Sequence, residues 1–392
     1  VTRPDLAVPF TGERFGAVGN LSRLIAPPYD VISPAERARF AALDAHNIVH
    51  VMLPEAADGD RYAHAAKLLA AWRSDGTLVR DGEPSVYVLA QDYALPSGER
   101  KSRVGVFVAL AAEGYEPRRV RPHERTHAGP KADRLALLRA TRTSLESIFV
   151  IAPDADGSLA RALRELASQP AAAHAELAGV AIRLWVVQGG AAADLARLVS
   201  AAPVYMADGH HRYETASTYA TENAAASRLL TFVVSAKDQG LTILPTHRVI
   251  YGAPVEPTDV AAEWGPRLEV SDLAPDAPRE ANCWIVAWPG ERRQRLVPNP
   301  PWPPLSEMEL IAMGDYIVRS IVQHAGTAQL VYTPDAREAV GAVTKSGASA
   351  AVLLPAPKVA TVFEVADANG IMPPKSTYFF PKVPAGLVIF TP

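Results

Sequence analysis

Apolar and polar positions recur along the chain in two periods, and these predict most of its elements. Over 60–75 the apolar residues Ala65, Leu68, Leu69 and Trp72 return at helical spacing until Gly76 stops the run. The β-rich runs 85–95 and 102–110 flank Pro96-Ser97-Gly98-Glu99-Arg100, which predicts a hairpin. Ser33 or the turn after it can cap a helix through Leu43, and 47–53 reads as a strand. Helices are then predicted over 132–143, 159–167 and 192–200, with strands at 148–152 and 183–187 and an Ala-rich surface helix or loop at 170–180. The apolar run from Val204 reads as a buried strand that meets an Asp208-Gly209 turn, and residues of good helix propensity follow. The runs 229–235 and 241–244 read as paired strands.

A stretch rich in proline and charge, about 254–305, suggests a boundary followed by a strand at 283–288. Beyond it 308–324 has helical periodicity, and 329–332, 335–343, 350–354 and 359–366 alternate strand and helix. The expectation is a mixed α/β chain in three parts: 1–115, 116–253 and 254–392.

Composition narrows the function classes. With 48% hydrophobic and 21% charged residues in 392, a sizeable core can be buried. The 39 basic against 42 acidic residues leave a net charge of -3, which argues against a nucleic-acid binder, although Arg118, Arg119, Arg121 and Arg125 form a local basic patch. The single Cys283 excludes an intrachain disulfide and argues against a thiolate metal cluster; its apolar surroundings read as core. Neither a signal-like segment nor a membrane-length apolar run is evident, so a cytoplasmic protein is expected.

Four polar stretches carry candidate chemistry. Asp208, Gly209, His210, His211 and Arg212 fall at a helix start, where unpaired N–H groups and the helix dipole favour an anion and Gly209 permits close approach of phosphate. Arg212 adds a planar fork of donors, and the two histidines can exchange protons near neutral pH. Pro27, Pro28 and Pro34 stiffen a loop that presents Tyr29 and Asp30, as a ligand loop or an interdomain one. His123 and His127 match the His-Glu-x-x-His pattern of zinc hydrolases, but Pro122 and Gly129-Pro130 leave barely two helical turns for it. A polar loop is the other reading, with Glu124 as proton acceptor and Lys131 as phosphate partner. Lys375, Ser376 and Thr377 follow two prolines and offer a cation and two hydroxyls to phosphate oxygens, without the glycines of a P-loop. His247 and Arg248 are placed at a strand end, where they could bind substrate or cap the sheet.

Asp-Gly-His-His-Arg at a strand-to-helix junction resembles the phosphate-binding motif of the ParB/sulfiredoxin superfamily. The chain as a whole resembles the DUF1015 family, through Ala26-Pro27-Pro28-Tyr29-Asp30, His123-Glu124-Arg125-Thr126 with Gly129-Pro130-Lys131, Ala207 to Ala216, and Pro374-Lys375-Ser376-Thr377-Tyr378-Phe379 with Pro381-Lys382. Pro122-His123-Glu124 and Asp208 to Arg212 also resemble segments of archaeal free serine kinases. These resemblances imply a ParB/sulfiredoxin-like core elaborated by N-terminal and C-terminal α/β units. They imply phosphoryl transfer from ATP, ADP or pyrophosphate, with Mg²⁺, to a small hydroxylated metabolite such as free L-serine. Glu124 would be the base beside His123, Asp30 a reserve base or amine-binding group, and Asp208 to Arg212 the phosphate cradle. A ParB-like nucleotide-dependent binding module and a zinc hydrolase are the alternatives.

Overall fold

A computed structural model describes residues 4–16, 19–56, 59–126, 128–274, 283–299 and 306–392. The chain divides into two units, Val1–Thr242 with Pro381–Pro392, and Ile243–Phe380.

The first unit is built on strands too apolar to leave either face wet. In chain order these are β1 (Ala7–Val8), β2 (Ser85–Ala94), β3 (Arg100–Ala111), β4 (Val120–Arg121), β5 (Ile148–Ala152), β6 (Ala173–Leu177), β7 (Val180–Gln188), β8 (Val204–Asp208) and β9 (Arg228–Ser235). They form one nine-stranded sheet in the order β4-β8-β5-β9-β3-β2-β7-β6, with β1 paired to β3. Its longer helices are α1 (Pro34–Leu43), α2 (Arg61–Ser74), α3 (Ala128–Thr141), α4 (Ser158–Ala167), α5 (Gly189–Ser200) and α6 (His210–Glu222). Leu159, Leu163 and Leu195 of α4 and α5 pack with Val86, Val106 and Val150 in one cluster. Phe40, Leu69, Trp72 and Leu137 of α1, α2 and α3 form another. Such coverage is what near-continuous apolar strands require.

The expected boundary near residue 115 falls inside this sheet, because β3 pairs with β9 and β2 with β7. The last residues also return to the first unit through backbone bridges Glu13 to Ile389, Ala26 to Ala385 and Ser144 to Phe390.

Four elements differ from the expectation. Residues 47–53 hold a short helix, Val49–Met52, in place of a strand. Asn47 Oδ1 accepts from the Val49 N–H at 3.0 Å while its Nδ2 donates to the Arg23 and Ile25 carbonyls, so a buried side chain caps the turn. The Ala-rich 170–180 stretch supplies β6, whose small residues hide the alternation of an edge strand. The run 229–235 pairs with β3 and β5, and Thr242–Leu244 lies outside the sheet. Helix α3 starts at Ala128, ahead of the expected 132, since a proline in a first turn costs no helical hydrogen bond.

The second unit is an antiparallel sheet of β10 (His247–Tyr251), β11 (Leu268–Asp272), β12 (Trp284–Ala287), β13 (Arg293–Pro298), β14 (Gln329–Thr333) and β15 (Ala350–Leu353), ordered β11-β13-β12-β15-β10-β14. With α7 (Pro257–Trp264), α8 (Glu307–Ala325), α9 (Ala336–Lys345) and α10 (Val359–Asp367) this is the expected α/β alternation. Leu310 and Ile317 of α8 pack on Trp284, Val286 and Val352, and Ala339 and Val343 of α9 pack on Ile285 and the buried Cys283. Among the described residues no helix is long and apolar enough to cross a membrane.

A Cβ on Gly105, in β3, would sit 2.4 Å from Phe232 Cζ and 2.6 Å from the Val233 carbonyl oxygen. Gly105→Ala should therefore lower the unfolding free energy by about 3 kcal/mol, read from urea denaturation, because a centre-sheet backbone cannot yield.

Candidate functional site

The apolar run of β8 ends at Asp208, and the chain turns at Gly209 with φ of +90° before α6 begins at His210. A Cβ at Gly209 would lie 3.0 Å from Ile148 Cγ2 and 3.2 Å from Arg212 Cζ, so conformation and space both demand glycine. The first N–H groups of α6 have no helical carbonyl to bond and point out of this turn.

Asp208 organises the charges around it. Its Oδ2 accepts from Arg212 Nη2 at 2.7 Å and its Oδ1 from Lys382 Nζ at 2.6 Å. Burial opposes its charge, but Lys382 and Arg212 outweigh burial and hold the carboxyl well below the usual carboxylate range. Arg212 is fixed from a second side, since its Nη1 donates to the Ser147 carbonyl just before β5. The expected open fork is thus largely committed within the protein, leaving the buried Nε without a protein partner among the described residues.

The Tyr29-Asp30 loop arrives on the same guanidinium. Tyr29 N–H donates to Glu146 Oε1 at 2.8 Å, and the Arg134 guanidinium lies 4.4 Å over the Tyr29 ring. Glu146 is 7% exposed with Arg134 3.8 Å away; burial raises its pKa against the pull of Arg212 and Arg134. Burial likewise pushes the Tyr29 hydroxyl up to about 12. Asp30 and Arg212 interact electrostatically.

Strand β4 runs parallel to β8, with Val120 opposite Val204 and Arg121 opposite Tyr205. Residues 122–126 therefore leave the sheet at the same end as Gly209. The His123 and His210 rings meet edge to face at 4.9 Å, and His123 N–H points to His210 Nε2 at 3.5 Å. Burial lowers the pKa of His123 to about 4 and that of His210 well below the usual imidazole value, so both are neutral at pH 7. Glu124 follows directly, half-buried, and His211 is half-buried at the helix start. Lys131 is engaged elsewhere: its Nζ pairs with Glu214 at 2.8 Å, and Thr126 Oγ1 donates to the same carboxylate at 2.7 Å.

Of the His-Glu-x-x-His stretch, residues 122–126 are irregular, and α3 begins at Ala128. His127 lies outside the described residues. Among the described residues no three His, Cys, Asp or Glu side chains cluster to hold a metal ion.

The remaining candidates, His247, Arg248, Lys375, Ser376 and Thr377, belong to the second unit. There Arg248 Nη2 donates to the Pro374 carbonyl at 3.1 Å, Ser376 Oγ donates to the Pro373 carbonyl at 2.6 Å, and His247 Nδ1 accepts from the Leu354 N–H at 3.1 Å. His247 opens β10, so these residues stand at a strand start.

Sequence reasoning missed Glu146, Arg134 and Lys382 as members of the first-unit network. Glu146 stands in a polar stretch, Thr141 to Ser147, that reads as an ordinary connection between a helix and a strand, whereas Lys382 stood in a polar stretch already singled out and only its partner was unknown.

A family model described as "Protein of unknown function (DUF1015)" matches residues 7–364. No curated protein matches the chain. Among solved structures, the chain is similar to a conserved hypothetical protein from Pyrococcus furiosus, at 14% identity over 72% of this chain and 93% of that one, with a TM-score of 0.39. It is similar to a free serine kinase in complex with AMP, at 13% identity over 70% and 86% of the two chains and a TM-score of 0.40; a variant of that kinase was solved with ADP. It is also similar to C-terminally truncated SbnI from Staphylococcus aureus, at 11% identity over 71% and 84%, with a TM-score of 0.38. The match over nearly the whole length places the chain in the DUF1015 family.

Proposed function

We propose that the first unit, read as an elaborated ParB/sulfiredoxin-like core, is a small-molecule kinase. Its phosphate donor would rest on the start of α6 and its acceptor would be a hydroxylated metabolite, with free L-serine the first to test. The observation that carries this reading is the Asp208 carboxylate gripping Arg212 and Lys382 beside Gly209 at the N-terminus of a 13-residue helix. Unpaired N–H groups, helix dipole and two cations converge there, a combination suited to a polyphosphate.

The roles follow from placement. Backbone N–H groups of His210 to Arg212 bind terminal phosphate oxygens, and Lys382 can exchange its Asp208 contact for the donor. Arg212, held by Asp208 and Ser147, orients the Tyr29-Asp30 loop. Glu124 accepts the acceptor's hydroxyl proton as that oxygen bonds to the terminal phosphorus and the bond to the leaving phosphate oxygen breaks. Neutral His123 and His210 add no competing positive charge next to Glu124. A divalent ion such as Mg²⁺, held mainly by the donor's phosphates and water, would neutralise phosphate charge.

Phosphorus NMR of the protein with Mg²⁺, L-serine and, separately, ATP, ADP or pyrophosphate tests the proposal. A phosphoserine signal from one donor is the expected result; none from any donor overturns the serine kinase and leaves a binding module. Given a signal, Arg212→Ala should reduce kcat/KM about 10²-fold or more by releasing Asp208 and the loop. Glu124→Gln should retain donor affinity and lower kcat about 10²–10⁴-fold, the range of a lost general base.

The neutral histidines also set a pH dependence. The unfolded chain protonates His123 near pH 6.5 while the folded one waits until about 4, so protons favour unfolding between these values. Stability should fall on acidification from pH 7 to 4, by about 3 kcal/mol from His123 alone. His123→Gln should flatten that slope in denaturation midpoints measured across the range.

A further inference from the structure

The second unit contains a buried polar pocket that the proposed kinase does not use. It lies where three adjacent strands end under α8. Arg248 of β10 is opposite Val352 of β15, and Ile285 of β12 is opposite Leu353, so the register brings Thr246, Leu354 and Trp284 into one row. The pocket has a volume of about 30 Å³ and is bounded by these residues, by Leu310, Ile311 and Gly314 of α8, and by Pro373 and Ser376. Gly314 makes the space, because a Cβ there would come within 3.1 Å of Trp284 Nε1 and 3.0 Å of Leu354 Cδ2.

Two donors line this pocket with no protein partner among the described residues: the Trp284 indole N–H, on a residue 0% exposed, and the Thr246 hydroxyl, on one 5% exposed. Buried donors are ordinarily satisfied, and each left unmet destabilises the fold. Beside them is Arg248, itself 7% exposed, tied to the Thr246 and Pro374 carbonyls and lying 5.1 Å over the Tyr332 ring. The segment that closes the pocket is strained, with Lys375 at φ of +58°.

We propose that this pocket binds a small monocarboxylic acid. Two unmet donors beside a guanidinium call for an acceptor group, and one arginine matches one negative charge. Asp315, also lining the pocket and paired with Arg319 at 2.6 Å, disfavours a second negative charge and so a phosphate dianion. The walls of Leu310, Ile311, Leu354 and proline suit a short apolar body, and a space of this size takes a molecule of only a few non-hydrogen atoms. The carboxylate would accept from Trp284 Nε1, Thr246 Oγ1 and the Arg248 guanidinium.

The test uses the full chain and sodium propionate, with sodium chloride and inorganic phosphate as controls. Saturation-transfer NMR and thermal melting should report saturable binding of propionate and a raised melting temperature that matched chloride or phosphate does not reproduce. Thr246→Val deletes one donor and little else, Trp284→Phe deletes the other together with part of a buried ring, and each should weaken propionate about tenfold. Near-UV circular dichroism verifies that the variants fold. Propionate that fails to saturate, is matched by phosphate, or binds both variants as well as the parent overturns the proposal and leaves a water-filled pocket.

Discussion

A carboxylate buried at the end of a strand must be paired, and much of the first unit follows from how Asp208 meets that demand. Its two cations come from distant places: Arg212 from the helix that begins beyond Gly209, and Lys382 from the C-terminal segment. Removing one partner of a buried pair costs about 3–5 kcal/mol, so the charge ties strand, helix and tail into one arrangement. Neighbouring contacts reinforce the tail. Fully buried Arg103 donates to the Pro381 carbonyl at 2.5 Å with its guanidinium 4.8 Å over Phe149, and Gln91 donates to the Lys382 carbonyl at 3.0 Å.

Glu146, facing the same Arg212, is driven the other way. Burial dominates there, with Arg134 at 3.8 Å and Arg212 compensating only in part, and its pKa rises where that of Asp208 falls. Two acids are thus perturbed in opposite directions around one guanidinium. The Tyr29 backbone N–H on Glu146 makes the proline-stiffened loop part of that balance. Loop position and site charge are therefore coupled.

Which parts of this were legible depended on how local the cause was. The strand-turn-helix around Asp208 could be read because an apolar run, an Asp-Gly turn and helix formers are adjacent in sequence, and helices such as Arg61–Ser74 could be read from their period. The helix Val49–Met52 could not, since Val49, Val51 and Met52 are all fully buried and no polar face remains to display a period. The pairing across residue 115 was hidden for a related reason: sheet pairing between β3 and β9 spans more than a hundred residues and leaves no local mark. In the site, residue types were visible but their commitments were not. Lys131 spends its charge on Glu214, and Arg212 spends two donors on Asp208 and Ser147.

Those commitments determine how an anion would enter. Two half-buried cations facing a helix N-terminus would repel one another and the dipole, and Asp208 cancels part of that charge. At the proposed site an incoming phosphate would compete with a carboxylate already seated, which would favour multiply charged phosphates over weaker anions. The two cations are unequal in that competition. Arg212 is anchored by Asp208 on one side and the Ser147 carbonyl on the other, in a rigid fork, whereas Lys382 is a point charge on a flexible stem. On the proposed reading Lys382 would be the group that transfers its contact to a phosphate, while Arg212 retains Asp208 as its counter-ion and keeps the turn at Gly209 in place.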